Sequence, residues 1–202
     1  VAVDGFRLAL RREPVTKKNG SFEFVVPGAS LSEVEKICRE TDETVSIHQG
    51  TRHVLFKIGS TILISRRLEG EFLAWRQAIP RNNPVKVTAT TKQLLACMDR
   101  VSLIVSEKLK SPLRCVIGDG EIDITTKTAI GTAHDCCPVE GNGNGLEIGF
   151  NNKYMMDALK AAPMDKVRLE LSSPITPCII VPAEGEENFL FMVLPVRLKA
   201  DY

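Results

Sequence analysis

The feature that most constrains this chain is a repeated unit. A helix followed by a meander of three short strands occurs at residues 30–66 and again at 151–196. Such a unit recurring within 202 residues implies a modular chain. Helices that alternate with antiparallel strands imply an α+β fold with helices packed on one face of each sheet. In the first unit Ser30-Leu-Ser-Glu33 has capping-box spacing, and Leu31, Val34, Ile37 and Cys38 follow at helical intervals. Strand-like runs come next at Thr44–His48, Val54–Ile58 and Thr61–Ser65, with turns at Gln49-Gly50 and Gly59-Ser60. In the last unit a helix begins near Asn151, carries Tyr154, Met155, Ala158, Leu159 and Ala162 on one face, and is closed by Pro163. Strands are expected at Lys166–Leu171, Ile175–Val181 and Leu190–Val196, and Pro195 makes the last one an edge or ends it.

A middle unit, 85–133, carries a helix signalled by Thr90 and Gln93 with Leu94, Leu95, Met98, Val101 and Val105 behind them. Arg114–Ile117 and Glu121–Thr125 follow, and Gly118-Asp-Gly120 between them predicts a hairpin. Glu69–Pro84 holds Pro80, Asn82, Asn83 and Pro84 and is the expected linker. It divides an incomplete domain, 1–84, from a second domain, 85–202. The opening Val1-Ala-Val-Asp-Gly-Phe-Arg-Leu-Ala-Leu10 resembles a strand already under way, which suggests a piece of a longer chain.

Lys and Arg total 26 against 25 Asp and Glu, a net charge of +1, with 44% hydrophobic and 25% charged residues. That composition excludes the disordered class and argues against tight electrostatic binding of nucleic acid. No apolar run approaches the roughly 18 residues of a membrane helix. No signal-peptide pattern opens the chain, so a cytoplasmic protein with no membrane partner is expected. The six cysteines lack a CxxC pair, which fits free thiols in a reducing compartment.

Catalytic patterns are absent. His48 and His53 flank a turn, and His134 lies in a polar stretch. Gly141-Asn-Gly-Asn-Gly145 lacks the strand-to-helix context and the Lys-Ser/Thr of a phosphate loop, and a flexible hairpin loop is expected there. His134-Asp-Cys-Cys137 has no second ligand pair at zinc spacing, so no metal is expected. Two alternatives stay open: a small hydrolase or transferase centred on His134, Asp135 and Cys136, and a repeat-built interaction module. The two ends each embed an arginine among apolar residues, Asp4-Gly-Phe-Arg-Leu8 and Leu194-Pro-Val-Arg-Leu198, a combination suited to holding a short peptide.

Several motifs resemble the bacterial sliding-clamp family, the β subunit of DNA polymerase III. They are Ala2-Val-Asp-Gly-Phe-Arg-Leu-Ala9, Gly70-Glu-Phe72 with Trp75 and Pro80, Glu147-Ile-Gly-Phe-Asn151 with Tyr154, and Phe191-Met-Val-Leu-Pro-Val-Arg-Leu198. The resemblance runs from Val1 to about Leu198. It implies the DNA-clamp fold, with helices on one face of a curved sheet, and a chain covering the second half of a middle domain plus a C-terminal domain. It implies a non-catalytic processivity factor without cofactor or metal. Paired into a homodimeric ring in the full-length protein, the family encircles duplex DNA without reading its sequence. Polymerase, clamp loader and repair proteins attach through clamp-binding peptides. By resemblance, one wall of the peptide pocket is Val3, Gly5, Phe6, Arg7 and Leu8 with Leu73 and Ala78. The other is Asn151, Tyr154, Met155, Ile175, Pro177, Met192, Leu194, Pro195, Val196 and Arg197. Phe6, Leu73 and Gln77 depart from the residues common in the family. Lys36, Arg39, Lys92, Arg100, Lys153 and Lys160 are the DNA-facing candidates, and Leu103 and Ile104 the expected subunit contact.

Overall fold

A strand is buried on both faces only when both faces of its sheet are covered, and the run Cys178-Ile-Ile-Val-Pro182 is buried at every position. The computed structural model describes residues 1–15, 20–105 and 111–198. In chain order the elements are β1 (Ala2–Val3), β2 (Arg7–Arg11), α1 (Gly28–Cys38), β3 (Val45–Gln49), β4 (His53–Ile58) and β5 (Thr61–Arg66). After them come α2 (Trp75–Ala78), β6 (Val85–Thr90), α3 (Thr91–Ser102), β7 (Leu113–Thr128) and β8 (Gly131–Phe150). The last are α4 (Asn152–Ala161), β9 (Lys166–Leu171), β10 (Cys178–Pro182) and β11 (Phe189–Val193). They form two compact units, one of residues 14–74 and one of residues 1–13 with 75–202.

The larger unit is built on an eight-stranded sheet in the order β1-β2-β11-β10-β9-β6-β8-β7. Its main core packs Leu94, Cys97, Met98 and Val101 of α3 and Met155, Ala158 and Leu159 of α4 against the sheet, Cys178 and Ile180 included. The alternate residues of β10, Ile179 and Val181, lie instead with Leu8, Leu10 and Met192, and Trp75 and Ile79 pack there. The expected linker thus carries a short helix that helps close the second face, which is why β10 has no solvent side.

The smaller unit is α1 with the antiparallel meander β3-β4-β5. Val54, Phe56, Ile58 and Ser65 are buried, and Phe24 meets Phe56 edge-on. The three strands stand within one residue of the runs expected from alternation. The capping box does not form. Pro27, at the N-cap, offers its carbonyl to Ser30 N, and Ser30 Oγ accepts a 2.8 Å bond from Ser65 Oγ, so the helix starts three residues early.

Other expectations are corrected. The opening segment is two strands, because Asp4 Oδ1 accepts from Phe6 N and Arg7 N and turns the chain. Gly118-Asp-Gly120 makes no hairpin, and Gly141–Gly145 is no loop. Both lie inside the continuous β7–β8 ladder, which turns at Thr128–Gly131. Between the pairs Ile117–Leu146 and Glu121–Pro138 the two strands advance unequally, and the glycine run absorbs the surplus as a bulge. Gly141 and Gly145 take positive φ there, and a Cβ at Gly143 would sit 2.3 Å from Ile117 Cγ2. Finally, β10 begins only at Cys178 and β11 ends at Val193, which leaves Ile175, Pro177 and Leu194–Arg197 outside the strands.

Candidate functional site

The site forms in the larger unit, where the turn at Asp4, helix α4 and strand β11 meet. Asn151 caps α4, its side chain accepting from Lys153 N at 3.0 Å and Tyr154 N at 3.4 Å. The cap fixes the register of the helix, so Tyr154, Asp157, Ala158 and Ala161 fall on one face at i, i+3, i+4 and i+7. With Val3, Asp4, Arg7, Leu8 and Met192 they line a cleft of about 290 Å³.

Arg7 is the fixed polar group of this cleft. Its Nη1 donates to Asp157 Oδ2 at 2.6 Å and its Nε to Asp4 Oδ2 at 2.9 Å, and its guanidinium lies 4.6 Å from the centroid of the Tyr154 ring. The bond to Asp157, then that to Asp4, raises the Arg7 pKa. Burial pushes the Asp4 carboxyl up, but hydrogen bonds from Phe6 N and Arg7 outweigh it and hold the pKa below the ordinary value. Phe6 stacks on Tyr154 with centroids 5.8 Å apart and stays 57% exposed. An apolar floor with a charged group held open to solvent can take an apolar side chain while fixing a polar backbone beside it.

A second concavity of about 310 Å³ is lined by Ile175, Val196 and Arg197 with Glu147, Ile148, Gly149, Pro174 and Leu198. The segment Leu194–Arg197 joins the two: Leu194 N donates to Phe6 O, and Val196 N donates to Gly149 O. Gly149 permits that approach, since a Cβ there would lie 2.5 Å from Val196 O. Arg114 grips Glu147 through two 2.8 Å bonds, and this pairing first of all lowers the Glu147 pKa.

The expected pocket residues therefore divide. Val3, Arg7, Leu8, Tyr154 and Met192 line the first cleft, and Ile175, Val196 and Arg197 the second. Gly5, Phe6, Leu194 and Pro195 lie in the segments that border them, and Asn151 acts as the helix cap. Pro177 stands just before β10, and Ala78 ends α2. Leu73 belongs to the smaller unit and is exposed. Met155 is corrected: it is fully buried in the main core and makes no wall. Asp4, Asp157, Ala158 and Ala161 were not anticipated, although the i, i+3, i+4, i+7 spacing from Tyr154 was available to find the last three.

Among the basic residues, Lys36 pairs with Glu33, Arg39 with Glu35 and Arg100 with Asp135. Lys92, Lys153 and Lys160 are exposed and carry no ion pair among the described residues. Leu103 is 79% exposed at the end of α3, beside Ile104. His134, Asp135 and Cys136 do not converge as a hydrolytic site. Asp135 turns to Arg100, at 2.7 Å, while His134 and Cys136 take the opposite face of β8, and the Cys136 pKa is raised rather than lowered.

Residues 76–197 match the C-terminal domain of the DNA polymerase III beta subunit and residues 1–73 its central domain. The chain is 32% identical over 200 residues to the beta sliding clamp of Staphylococcus aureus, covering 97% of this chain and 52% of that protein. A crystal structure of the DNA polymerase III subunit beta from Pseudomonas aeruginosa superposes with a TM-score of 0.88 at 27% identity, over 98% of this chain and 54% of that one. A sliding clamp from the same organism, bound to griselimycin, gives 0.87 at 27% identity over 98% and 53%. The chain thus spans about half the length of the relatives it matches. With matches to two successive clamp domains and the clamp fold throughout, it belongs to the beta sliding-clamp family of DNA polymerase III.

Proposed function

We propose that this chain supplies the partner-binding part of a non-catalytic DNA polymerase processivity factor. It corresponds to part of a middle clamp domain and to a C-terminal one, with the change-over in Glu69–Pro84. Two such proteins pair into a ring around duplex DNA in the bacterial cytoplasm, with Leu103 and Ile104 contributing the subunit contact. Replicative polymerase, clamp loader and repair proteins dock through short peptides whose apolar anchors enter the cleft. The observation that carries this reading is the Arg7–Tyr154–Met192 cleft, an apolar floor with a guanidinium fixed at its rim by two carboxylates.

In this arrangement topology retains the DNA, so weak sequence-independent contacts from exposed lysines suffice and a net charge of +1 is no obstacle. The polymerase is held by a peptide that can leave, and several partners can share one adaptable apolar cleft. The test is a fluorescence-anisotropy titration with a labelled clamp-binding peptide. Leu194→Asp places a charge in the segment that joins the two concavities, and at least about tenfold weaker binding is expected. Unchanged affinity in a variant with an unaltered melt would remove the assignment.

A further inference from the structure

The outward face of the β7–β8 ladder gathers a set of donors that has no part in the peptide cleft. In the ladder Asp123 pairs with Cys136 and Thr125 with His134, so these side chains share one face. Ile122, Ile124 and Cys137 take the other face and are buried. His134 Nε2 lies 2.7 Å from Asp123 Oδ1 and 3.7 Å from Cys136 Sγ. The three ligand atoms all fall within 4.8 Å of one another. We propose that Asp123, His134 and Cys136 bind a single zinc-class divalent ion.

Donor chemistry selects the class of metal. One thiolate, one imidazole and one carboxylate suit a borderline-soft cation such as zinc, whereas magnesium and calcium take oxygen donors alone. Geometry agrees. In a tetrahedral zinc site, ordinary bond lengths put sulfur and nitrogen about 3.6 Å apart and nitrogen and oxygen about 3.3 Å apart. The sulfur–nitrogen separation is already of that size. The nitrogen–oxygen pair must open by roughly half an ångström, replacing the shared proton by the metal. His134 and Cys136 are exposed and Asp123 is half-buried, with Thr125 Oγ1 also donating to Asp123 Oδ1 at 3.5 Å, so the opening takes place at the surface of the ladder.

The surrounding charge favours a cation. Glu121 stands two residues along β7 from Asp123, on the same face. A divalent ion there meets two negative charges, Asp123 as a ligand and Glu121 as its neighbour on the same face. With three protein donors on an open face, the fourth position stays available to water or to a donor of another molecule.

The test is titration of the whole 202-residue chain, reduced and chelator-free, with zinc alone by calorimetry and with cobalt(II) by absorption spectroscopy. One ion should bind well above any remaining sites and give a thiolate-to-cobalt charge-transfer band. His134→Gln, Cys136→Ser and Asp123→Asn should each weaken it at least about tenfold, and Cys136→Ser should abolish the band. Cys38→Ser and His48→Gln should leave both unchanged. Full binding in the His134→Gln or Cys136→Ser variant, a band that survives Cys136→Ser, or no stoichiometric binding would each overturn the proposal. None of the three ligands is buried, so the thermal melts of the metal-free variants should match the parent's.

Discussion

Arg7 has two carboxylates and an aromatic ring around it, and each constrains a different part of the guanidinium. Asp4 holds Nε, Asp157 holds Nη1, and Tyr154 lies beneath the plane, so little rotamer freedom is left to lose when a peptide arrives. Asp157→Asn weakens the 2.6 Å bond without changing volume. Because the pair is partly exposed, a loss of only about 1 kcal/mol, or severalfold in peptide Kd, is expected, with an almost unchanged melting temperature. A loss as large as that of Leu194→Asp would mean that Asp157 itself touches the peptide. The Arg114–Glu147 pair makes a separate prediction. Glu147 has a lowered folded pKa, so its contribution to stability is present above the ordinary value of 4.5 and disappears as pH falls through the lowered one. The difference in melting temperature between the parent and Glu147→Gln should shrink on acidification; a difference constant with pH would disprove the linkage. Much of this was hidden in the sequence. Arginine among apolar residues at both ends suggested a surface suited to a peptide, but Asp157 lies 150 positions from Arg7 and only folding pairs them. Asp123 was invisible for the same reason: His134 and Cys136 supply two donors at strand spacing, and the third comes from the neighbouring strand.

The elements divide by how local their causes are. The meander β3–β5 was legible because alternation of apolar residues with turns between them is a short-range signal. The N-terminus of α4 was legible through Asn151, whose side chain serves the amides immediately after it. Replacing it with alanine should cost about 1 kcal/mol in chemical denaturation and loosen the helix that carries Tyr154 and Asp157. The β7–β8 ladder was not legible, because glycines flanked by strands signal a hairpin when only neighbours are considered. In the fold the same glycines sit where two long strands fall out of step, and long-range pairing on both sides outweighs the local preference for a turn. Gly143→Ala distinguishes the two accounts. In a solvated loop the change would be neutral, but against Ile117 it should destabilise by roughly 1–3 kcal/mol. The strand β6 was likewise missed: its Thr90 serves as the N-cap position of α3, so the helix signal covers the strand's end.

At the scale of the whole chain, the proposed function asks how a net charge of +1 would meet a polyanion. Among the described residues, three of the six basic candidates are neutralised by acids of this chain, and Lys92, Lys153 and Lys160 remain as exposed cations on α3 and α4. Each phosphate neutralised on duplex DNA releases close to one counterion, so three free lysines set a ceiling of about −3 on the slope of log affinity against log salt. A dedicated DNA-binding domain with its six to ten phosphate contacts would show two to three times that slope. Direct binding of this chain to linear duplex should therefore be weak, indifferent to base sequence and nearly lost at physiological salt. Changing Lys92, Lys153 and Lys160 together to glutamate should abolish what remains, while peptide binding at the Arg7 cleft stays intact. A steep salt slope, or one unaffected by the triple change, would place the DNA on some other surface. A shallow slope that flattens with the substitutions would support the proposed reading, in which closure of a ring holds the DNA and a cleft holds the partners.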